Sequence, residues 1–411
     1  MTFFAATRAP RHIVVGAGQR HALGSYARMF GAKALICTDE RMGQDPVMGE
    51  LVASLKAAGV ESRIYDRTLP EVPMSSVEEC LEIARSFGPD MLIGLGGGSC
   101  MDLTKVAAVL LAHGGKPQDY YGEFKVPGKI LPVIALPTTA GTGSEVTPVA
   151  VVADPEKTLK VGIASPELIP VVAICDPELT YTCPPGLTAA SGSDAMTHAV
   201  EAFMSMPRAA TPDLSTNHVF LGKNQFSDMY ALTAISHISK SLERAVKTGS
   251  DIQARESMMW ASMLAGLAFG TAGTAAAHAL QYPVGALTHT AHGLGVACLL
   301  PYVMEYNRPS CVGDLVQIAQ AMGIDRDGRD DEAYGAAAID AIEDLFVRVG
   351  IPRTIRELGL AADQLDWAAE QAMGAARLVK NNPRTLDVAS MGHILRAAQD
   401  GNRAELRKLP A

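Results

Sequence analysis

The segment Met91-Leu-Ile-Gly-Leu-Gly96-Gly97-Gly98-Ser99-Cys-Met-Asp102 passes from a short apolar run, through three consecutive glycines, into a helical pattern. An apolar run of this length suits a strand buried in a parallel sheet. The glycines let the backbone approach an anionic group closely, and the helix that follows offers unpaired N–H groups at its start. A diphosphate fits such a turn, although a plain tight turn explains the glycines alone. Asp102 has two readings as well. Ser99 and Asp102 have capping-box spacing, and a ligand role stands beside that one.

Working outward, the first ~180 residues alternate short apolar runs with helical patterns, the signature of βαβ units. Candidate strands are His12–Val15, Ala34–Thr38, Met91–Gly94 and Val133–Leu136, with helices over Asp45–Ala58, Val77–Phe87 and Ser99–Ala112. Short β-like runs at Val146–Val152 and Lys160–Ile163 suggest an added antiparallel piece. Two more loops follow strands. Pro137-Thr-Thr-Ala-Gly-Thr-Gly-Ser-Glu145 offers the hydroxyls of Thr138, Thr139, Thr142 and Ser144, each a turn residue when taken singly. Gly16-Ala-Gly18-Gln-Arg-His21 matches the dinucleotide fingerprint weakly. Asp39 ends the next strand, where a carboxylate would bond ribose hydroxyls and repel a 2′-phosphate, favouring NAD over NADP; a turn residue is the plainer reading.

From Pro184 onward helical periodicity takes over. The stretches are Leu187–Met204, Ser227–Ala245, Ile252–Leu280, Gly293–Tyr306, Glu332–Val349, Asp363–Leu378 and Leu386–Ala398, with an irregular excursion at Met206–Gln225. The boundary falls near Thr180–Pro185, so residues 1–182 read as an α/β domain and 183–411 as all-helical. Asp194 and His198 are four apart and share a helix face. His278 and His292 bracket Tyr282-Pro283-Val284-Gly285, a plausible helix break, and His292, just before Gly293, sits near the start of the next helix, whose dipole lowers its pKa and keeps the ring neutral and able to ligate. A core histidine bonded to a carbonyl is the usual fate of one His. Here His278, His289 and His292 lie within Ser257–Met304, a span without Asp, Glu, Lys or Arg. Three His and one Asp make an N/O set suited to Fe(II), Zn, Co, Ni or Mn.

Composition narrows the class. The chain has 411 residues, 48% hydrophobic and 19% charged, with net charge −9, which disfavours nucleic acid held by a basic field. Its seven cysteines form no C-x-x-C pair, favouring reduced thiols and a cytoplasmic setting, and the first residues lack a signal-peptide core. Met258–Leu280 is long enough to span a bilayer, but its Ala, Gly and Thr content and His278 suit a buried helix better.

Together these segments resemble the iron-containing (group III) alcohol dehydrogenase family. The likeness rests on Gly96-Gly-Gly-Ser-Cys-Met-Asp102-Leu-Thr-Lys105, Pro137–Glu145, Asp176-Pro-Glu-Leu-Thr180, Asp194-Ala-Met-Thr-His198-Ala-Val-Glu-Ala202, and His278-Ala-Leu-Gln-Tyr-Pro-Val-Gly285 followed by His292-Gly. It runs in order from about Ile13 to the Asn382-Pro-Arg segment. The resemblance implies a Rossmann-like NAD-binding α/β domain, an all-helical metal domain and a cleft between them, as in dehydroquinate-synthase-like architectures. It implies Asp194, His198, His278 and His292 as ligands of Fe2+, with Zn2+ accepted by the same set. It implies Gly97, Gly98 and Ser99 at the pyrophosphate, Thr138, Thr139 and Thr142 along the cofactor, Lys160 beside it and Asp39 at the adenine ribose; Gly96, Asp102 and Ser144 are further cofactor-binding candidates in the same loops. It also implies a homodimer or higher homo-oligomer. The chain departs from the family pattern at Tyr282, where many relatives carry a second His, and in the length of the Met206–Gln225 excursion.

The reaction expected from the resemblance is hydride transfer between nicotinamide C4 and a metal-bound alkoxide or carbonyl. His278 and His292 serve at the metal, and Tyr282 or His289 relays the proton. Tyr282 packing against the ring is the alternative to a relay. A metal-dependent hydrolase explains the ligand set but not the Gly96–Ser99 and Thr138–Ser144 loops or Asp39. A dehydroquinate-synthase-like lyase, a hydroxyacid-oxoacid transhydrogenase, a maleylacetate-type reductase and a non-catalytic NAD-sensing protein are the other readings. The substrate, a small alcohol or aldehyde, is not specified further.

Overall fold

In the computed structural model, which describes residues 3–157 and 159–409, the short apolar runs of the first half pair side by side. Strands β1 (His12–Val15), β2 (Lys33–Cys37), β3 (Glu61–Tyr65), β4 (Met91–Gly96), β6 (Val133–Pro137) and β9 (Val172–Cys175) form one sheet in the order β1-β9-β6-β4-β2-β3. Every pairing in it is parallel. The central strands β4 and β6 are apolar runs, without a charged residue, buried along their length, as expected where helices cover both faces. Helices α1 (Pro46–Ala57), α2 (Met74–Phe87) and α3 (Gly98–His113) are the crossovers. A small sheet holds β5 (Gly122–Glu123), β7 (Val149–Val152) and β8 (Val161–Ala164), with β7 and β8 antiparallel and β5 parallel to β8.

The chain divides into two compact units. Among the described residues, one comprises residues 8–157, 159–182 and 216–219; the other comprises residues 3–7, 183–215 and 220–409. Part of the Met206–Gln225 excursion, residues 216–219, thus belongs with the sheet. The second unit is helical: α4 (Pro185–Met204), α5 (Gln225–Lys247), α6 (Ile252–Ala272), α7 (Ala276–Thr288), α8 (His292–Asn307), α9 (Val312–Met322), α10 (Asp331–Arg348), α11 (Leu365–Ala372) and α12 (Val388–Asp400), joined by turns, by longer connections after α4 and α10, and by a segment with a short helix at Ala376–Asn381. Helix α4 is buried on nearly every side because its residues are small. A Cβ on Gly192 would lie 2.3 Å from Leu242, so α5 packs directly on the α4 backbone.

Several boundaries differ from the sequence reading, among them Asp363–Leu378, which is two helices, Leu365–Ala372 and Ala376–Asn381. The Ile252–Leu280 stretch is two helices bent by 102°, and the break is at Gly273–Ala275. Gly273, at φ +88°, ends α6 in a conformation that suits glycine. Pro283, in the segment expected to break the chain, is inside α7. Helix α3 begins at Gly98 without a side-chain cap, so Ser99 is already helical and the capping-box reading of Asp102 fails. Strands β3, β5 and β9 lie outside the strands expected from the sequence. Among the described residues no single helix is long and apolar enough to cross a membrane.

Candidate metal centre and cofactor loops

Helical spacing stacks Asp194 and His198 on one face of α4, and both are buried. The other two imidazoles arrive from α7 and from the first residue of α8. That approach depends on Gly293. A Cβ there would lie 2.3 Å from the Ala190 carbonyl oxygen and 3.2 Å from Asp194 Cβ, so only glycine lets the start of α8 come this close to α4. Asp194 Oδ1 is then 3.6 Å from His198 Nε2, 3.9 Å from His278 Nε2 and 3.9 Å from His292 Nε2. The His198 and His278 rings lie 4.8 Å apart, His278 and His292 5.3 Å, and Phe269 stacks on His198 at 4.1 Å.

Metal–nitrogen and metal–oxygen bonds of about 2.0–2.2 Å put two ligands of one ion roughly 3–4 Å apart, and the three Asp194–imidazole separations match; Asp194, His278 and His292 each bring a ligand atom within 4.8 Å of the others, with His198 flanking them. Asp194 Oδ1 and His278 Nε2 are buried and have no hydrogen-bond partner. Orphaned buried polar atoms are costly unless something satisfies them, so the residues fit a divalent cation. Burial pushes the Asp194 carboxyl up to about 7, partly offset by His278. His292 keeps about a third of its side chain (34%) exposed, an open side to an otherwise buried set.

Glu201, three residues past His198, has no role in what the sequence alone leads one to expect. Its Oε2 is 2.6 Å from His278 Nδ1, and its carboxylate accepts the N–H groups of Ala275 at 2.9 Å and Ala277 at 2.6 Å. The i, i+4, i+7 spacing of Asp194, His198 and Glu201 was the available signal. Tyr282 is one turn after His278 and half-buried; burial raises its phenol pKa, with Arg377 lowering it and Glu201 raising it. His289 is exposed at the left-handed C-terminal position of α7, with φ +53°, and lies outside the ligand cluster.

In the α/β unit, β2, β4 and β6 are neighbours, so Asp39, Gly96–Gly98 and Thr138–Thr139 share the carboxyl edge of the sheet, where open α/β sheets bind ligands. Gly96 adopts φ +146°, and a Cβ there would meet Cys100 Sγ at 2.5 Å. A Cβ on Gly98 would meet Thr142 Cγ2 at 2.9 Å, so the glycine and threonine loops touch. Asp39 Oδ1 accepts the Met42 N–H at 2.9 Å, and its Oδ2 faces the Cys100 thiol at 3.8 Å.

Other expected cofactor residues are occupied by protein groups. Ser144 Oγ donates to Asp102 Oδ1 at 2.7 Å and accepts from Lys105 Nζ at 2.9 Å, while Asp102 Oδ2 accepts the Val151 N–H at 2.9 Å. Burial raises the Asp102 pKa against the pull of Lys105, and burial lowers Lys105 to about 8. Ser99 Oγ accepts the Glu71 N–H at 3.1 Å, and Lys160 pairs with Glu71 at 2.7 Å. The weak Gly16–His21 match has a separate account: buried Asp176 takes the N–H groups of Gly18 and Arg20 at 3.2 and 3.0 Å, using amides that a phosphate would need.

Residues 10–177 match the model of the iron-containing alcohol dehydrogenase family, and residues 188–399 match the C-terminal model of the Fe-containing alcohol dehydrogenase family. Long-chain-alcohol dehydrogenase 1 of Geobacillus thermodenitrificans is 38% identical over 398 residues, covering 96% of each chain. The NAD-dependent methanol dehydrogenase of Bacillus methanolicus is 32% identical, covering 95% of this chain and 98% of its own. The crystal structure of a 1,3-propanediol oxidoreductase superposes with a TM-score of 0.90 at 33% identity, covering 96% of this chain and all (100%) of the other. Strand order, ligand cluster and these matches along both halves agree: the chain belongs to the iron-containing alcohol dehydrogenase family.

Proposed function

We propose that the protein is a metal-dependent, NAD(H)-linked alcohol dehydrogenase and aldehyde reductase acting on a small alcohol or its carbonyl counterpart. The observation that carries this reading is one buried carboxylate oxygen within 3.9 Å of three imidazole Nε2 atoms. A divalent cation, iron or zinc, held by Asp194, His198, His278 and His292 would supply Lewis acidity to a substrate oxygen, and NAD(H) the hydride acceptor or donor. One carboxylate among neutral imidazoles cancels a single unit of charge, so the ligand set preserves that acidity. Burial of Asp194, His198 and His278 excludes water on their side and leaves approach beside His292. Tyr282 is the proton carrier in this reading, placed one turn from His278, and exposed His289 passes the proton to solvent.

For the cofactor, the uncapped start of α3 at Gly97–Gly98 supports a pyrophosphate subsite, with Thr138, Thr139 and Thr142 beside it. The Oδ2 of Asp39, which accepts only the weak Cys100 thiol donor at 3.8 Å, supports a ribose contact. Asp102, Ser144 and Lys160 act through the loops they brace. A domain division of 1–182 for cofactor and 183–411 for metal belongs to the same proposal. So does a cytoplasmic setting, supported by seven cysteines that are all buried and free, and so does homo-oligomerisation, which light scattering reads directly.

The test is metal analysis of purified protein with NAD-linked turnover on primary alcohols, diols and hydroxy acids, before and after chelation. Chelation should abolish turnover, and Fe(II) or Zn(II) should restore it. Full turnover by metal-free protein rejects the reading.

A further inference from the structure

We propose that Glu201 is a positioning residue that fixes the ring of His278 in the one tautomer able to ligate a metal. This inference rests on the metal reading above. A neutral imidazole carries one N–H, and which nitrogen holds it is set by the partner of that nitrogen. Glu201 Oε2 is 2.6 Å from Nδ1, and a carboxylate only accepts, so Nδ1 holds the proton and donates it. That leaves the lone pair on Nε2, the atom 3.9 Å from Asp194 Oδ1 and without a hydrogen-bond partner. The opposite tautomer would set a lone pair against a carboxylate at that short distance while aiming an N–H into the ligand cluster.

A capping role alone is the competing account. The Glu201 carboxylate does anchor the start of α7 through the N–H groups of Ala275 and Ala277, at the end of the helix where negative charge is favoured. Capping does not account for the third contact, to a ring on the same turn. With one oxygen bonding both Ala275 N–H and His278 Nδ1–H, the ring is locked to the backbone that carries it. Helix α4 thus presents Asp194 and His198 as direct ligands and, one turn on, the acceptor that orients the third. A carboxylate behind an imidazole also raises its basicity as a ligand.

The experiment uses Glu201→Gln with Co(II) as probe, its affinity measured by chelator competition and its d–d absorption recorded. The tautomer of His278 is read from side-chain 15N shifts in apo protein. Wild type should show an Nδ1-protonated ring, and E201Q should bind Co(II) roughly 10–100-fold more weakly with an altered spectrum, while NADH affinity stays near wild type. If E201Q does not fold, Glu201→Asp, which keeps the charge but withdraws it from Nδ1, carries the same expectation of weakened Co(II) binding. An Nε2-protonated ring in wild type, or Co(II) affinity and spectrum unchanged in the folded variant, overturns the assignment. Failure of wild type to bind Co(II) instead overturns the metal reading, and this inference falls with it.

Discussion

His278 and His292 reach one carboxylate oxygen from different helices, so each supplies an atom that no neighbour can replace. His278→Ala and His292→Ala should each remove turnover and lower metal content further than the roughly 10–100-fold affinity loss typical of outer-shell changes. NADH affinity should stay near wild type in both, because the glycine and threonine loops belong to the other compact unit. Inductively coupled plasma analysis beside NADH titration checks this, and a fully metallated, active H292A would remove His292 from the ligand set. Asp39 poses a separate question, since its Oδ1 already caps a short helix through Met42. Replacing a cap by Gly costs only a few tenths of a kcal/mol, so Asp39→Gly isolates the effect of charge. The ratio of kcat/KM for NADPH over NADH should rise on the order of tenfold or more, each tenfold being about 1.4 kcal/mol. An unchanged ratio would place the adenine ribose elsewhere.

At the level of elements, Gly293→Ala tests whether close helix approach builds the centre. The added methyl meets a backbone oxygen at 2.3 Å, so α8 must shift and carry His292 away from Asp194. Metal affinity should fall while β-sheet circular dichroism and NADH binding persist; a wild-type metal titration would separate the centre from this packing. A second element-level prediction concerns α3 and the threonine loop, which enclose Glu145 near Lys105. Burial lifts the Glu145 carboxyl from its ordinary 4.5 to about 7. The folded state therefore holds a proton that the unfolded chain releases between about pH 4.5 and 7, so this group weakens folding as pH rises through that window. Glu145→Gln should have its most favourable stability relative to wild type above pH 7, by on the order of 1–3 kcal/mol compared with the difference below pH 4.5. Denaturant unfolding across that range measures it, and a pH-independent difference would contradict the assignment. Legibility in sequence follows the same division between local and distant causes. The β4–glycine–α3 unit could be read because strand, turn and helix start are contiguous. Strand β3 could not, because Glu61–Tyr65 is a half-exposed edge strand paired only with β2. Nor could β9, four residues between turns, whose identity comes from pairing with β1 and β6. The sequence points to a helix break at Tyr282–Gly285 rather than at Gly273–Ala275 because the cause of the real break is remote: the acceptor that starts α7 is Glu201, 77 residues before His278. The four candidate ligands were legible as spacing and resemblance, but the approach of His292 to Asp194 Oδ1 depends on packing around Gly293.

Across the whole molecule, the two compact units each hold their own chemistry-bearing groups, and this separation has a thermodynamic consequence. A cation that binds the folded helical unit but not the unfolded chain stabilises it by RT ln(1 + [L]/Kd), about 2.7 kcal/mol at a hundredfold excess over Kd. The groups it would satisfy, Asp194 Oδ1 and His278 Nε2, are buried on α4 and α7. Hydrogen exchange protection on adding Zn(II), or Fe(II) under anaerobic conditions, should therefore concentrate in α4, α7 and the first turn of α8. NADH should instead protect the turn from β4 into α3 and the threonine loop, because those amides and hydroxyls lie at the carboxyl edge of the sheet. Applied together, the two ligands should give both patterns, and chelation should reverse only the first. Exchange measured peptide by peptide resolves the two sets. Metal-induced protection confined to the sheet, or cofactor-induced protection confined to α4 and α7, would mean that the ligand cluster and the glycine loop have been given each other's roles.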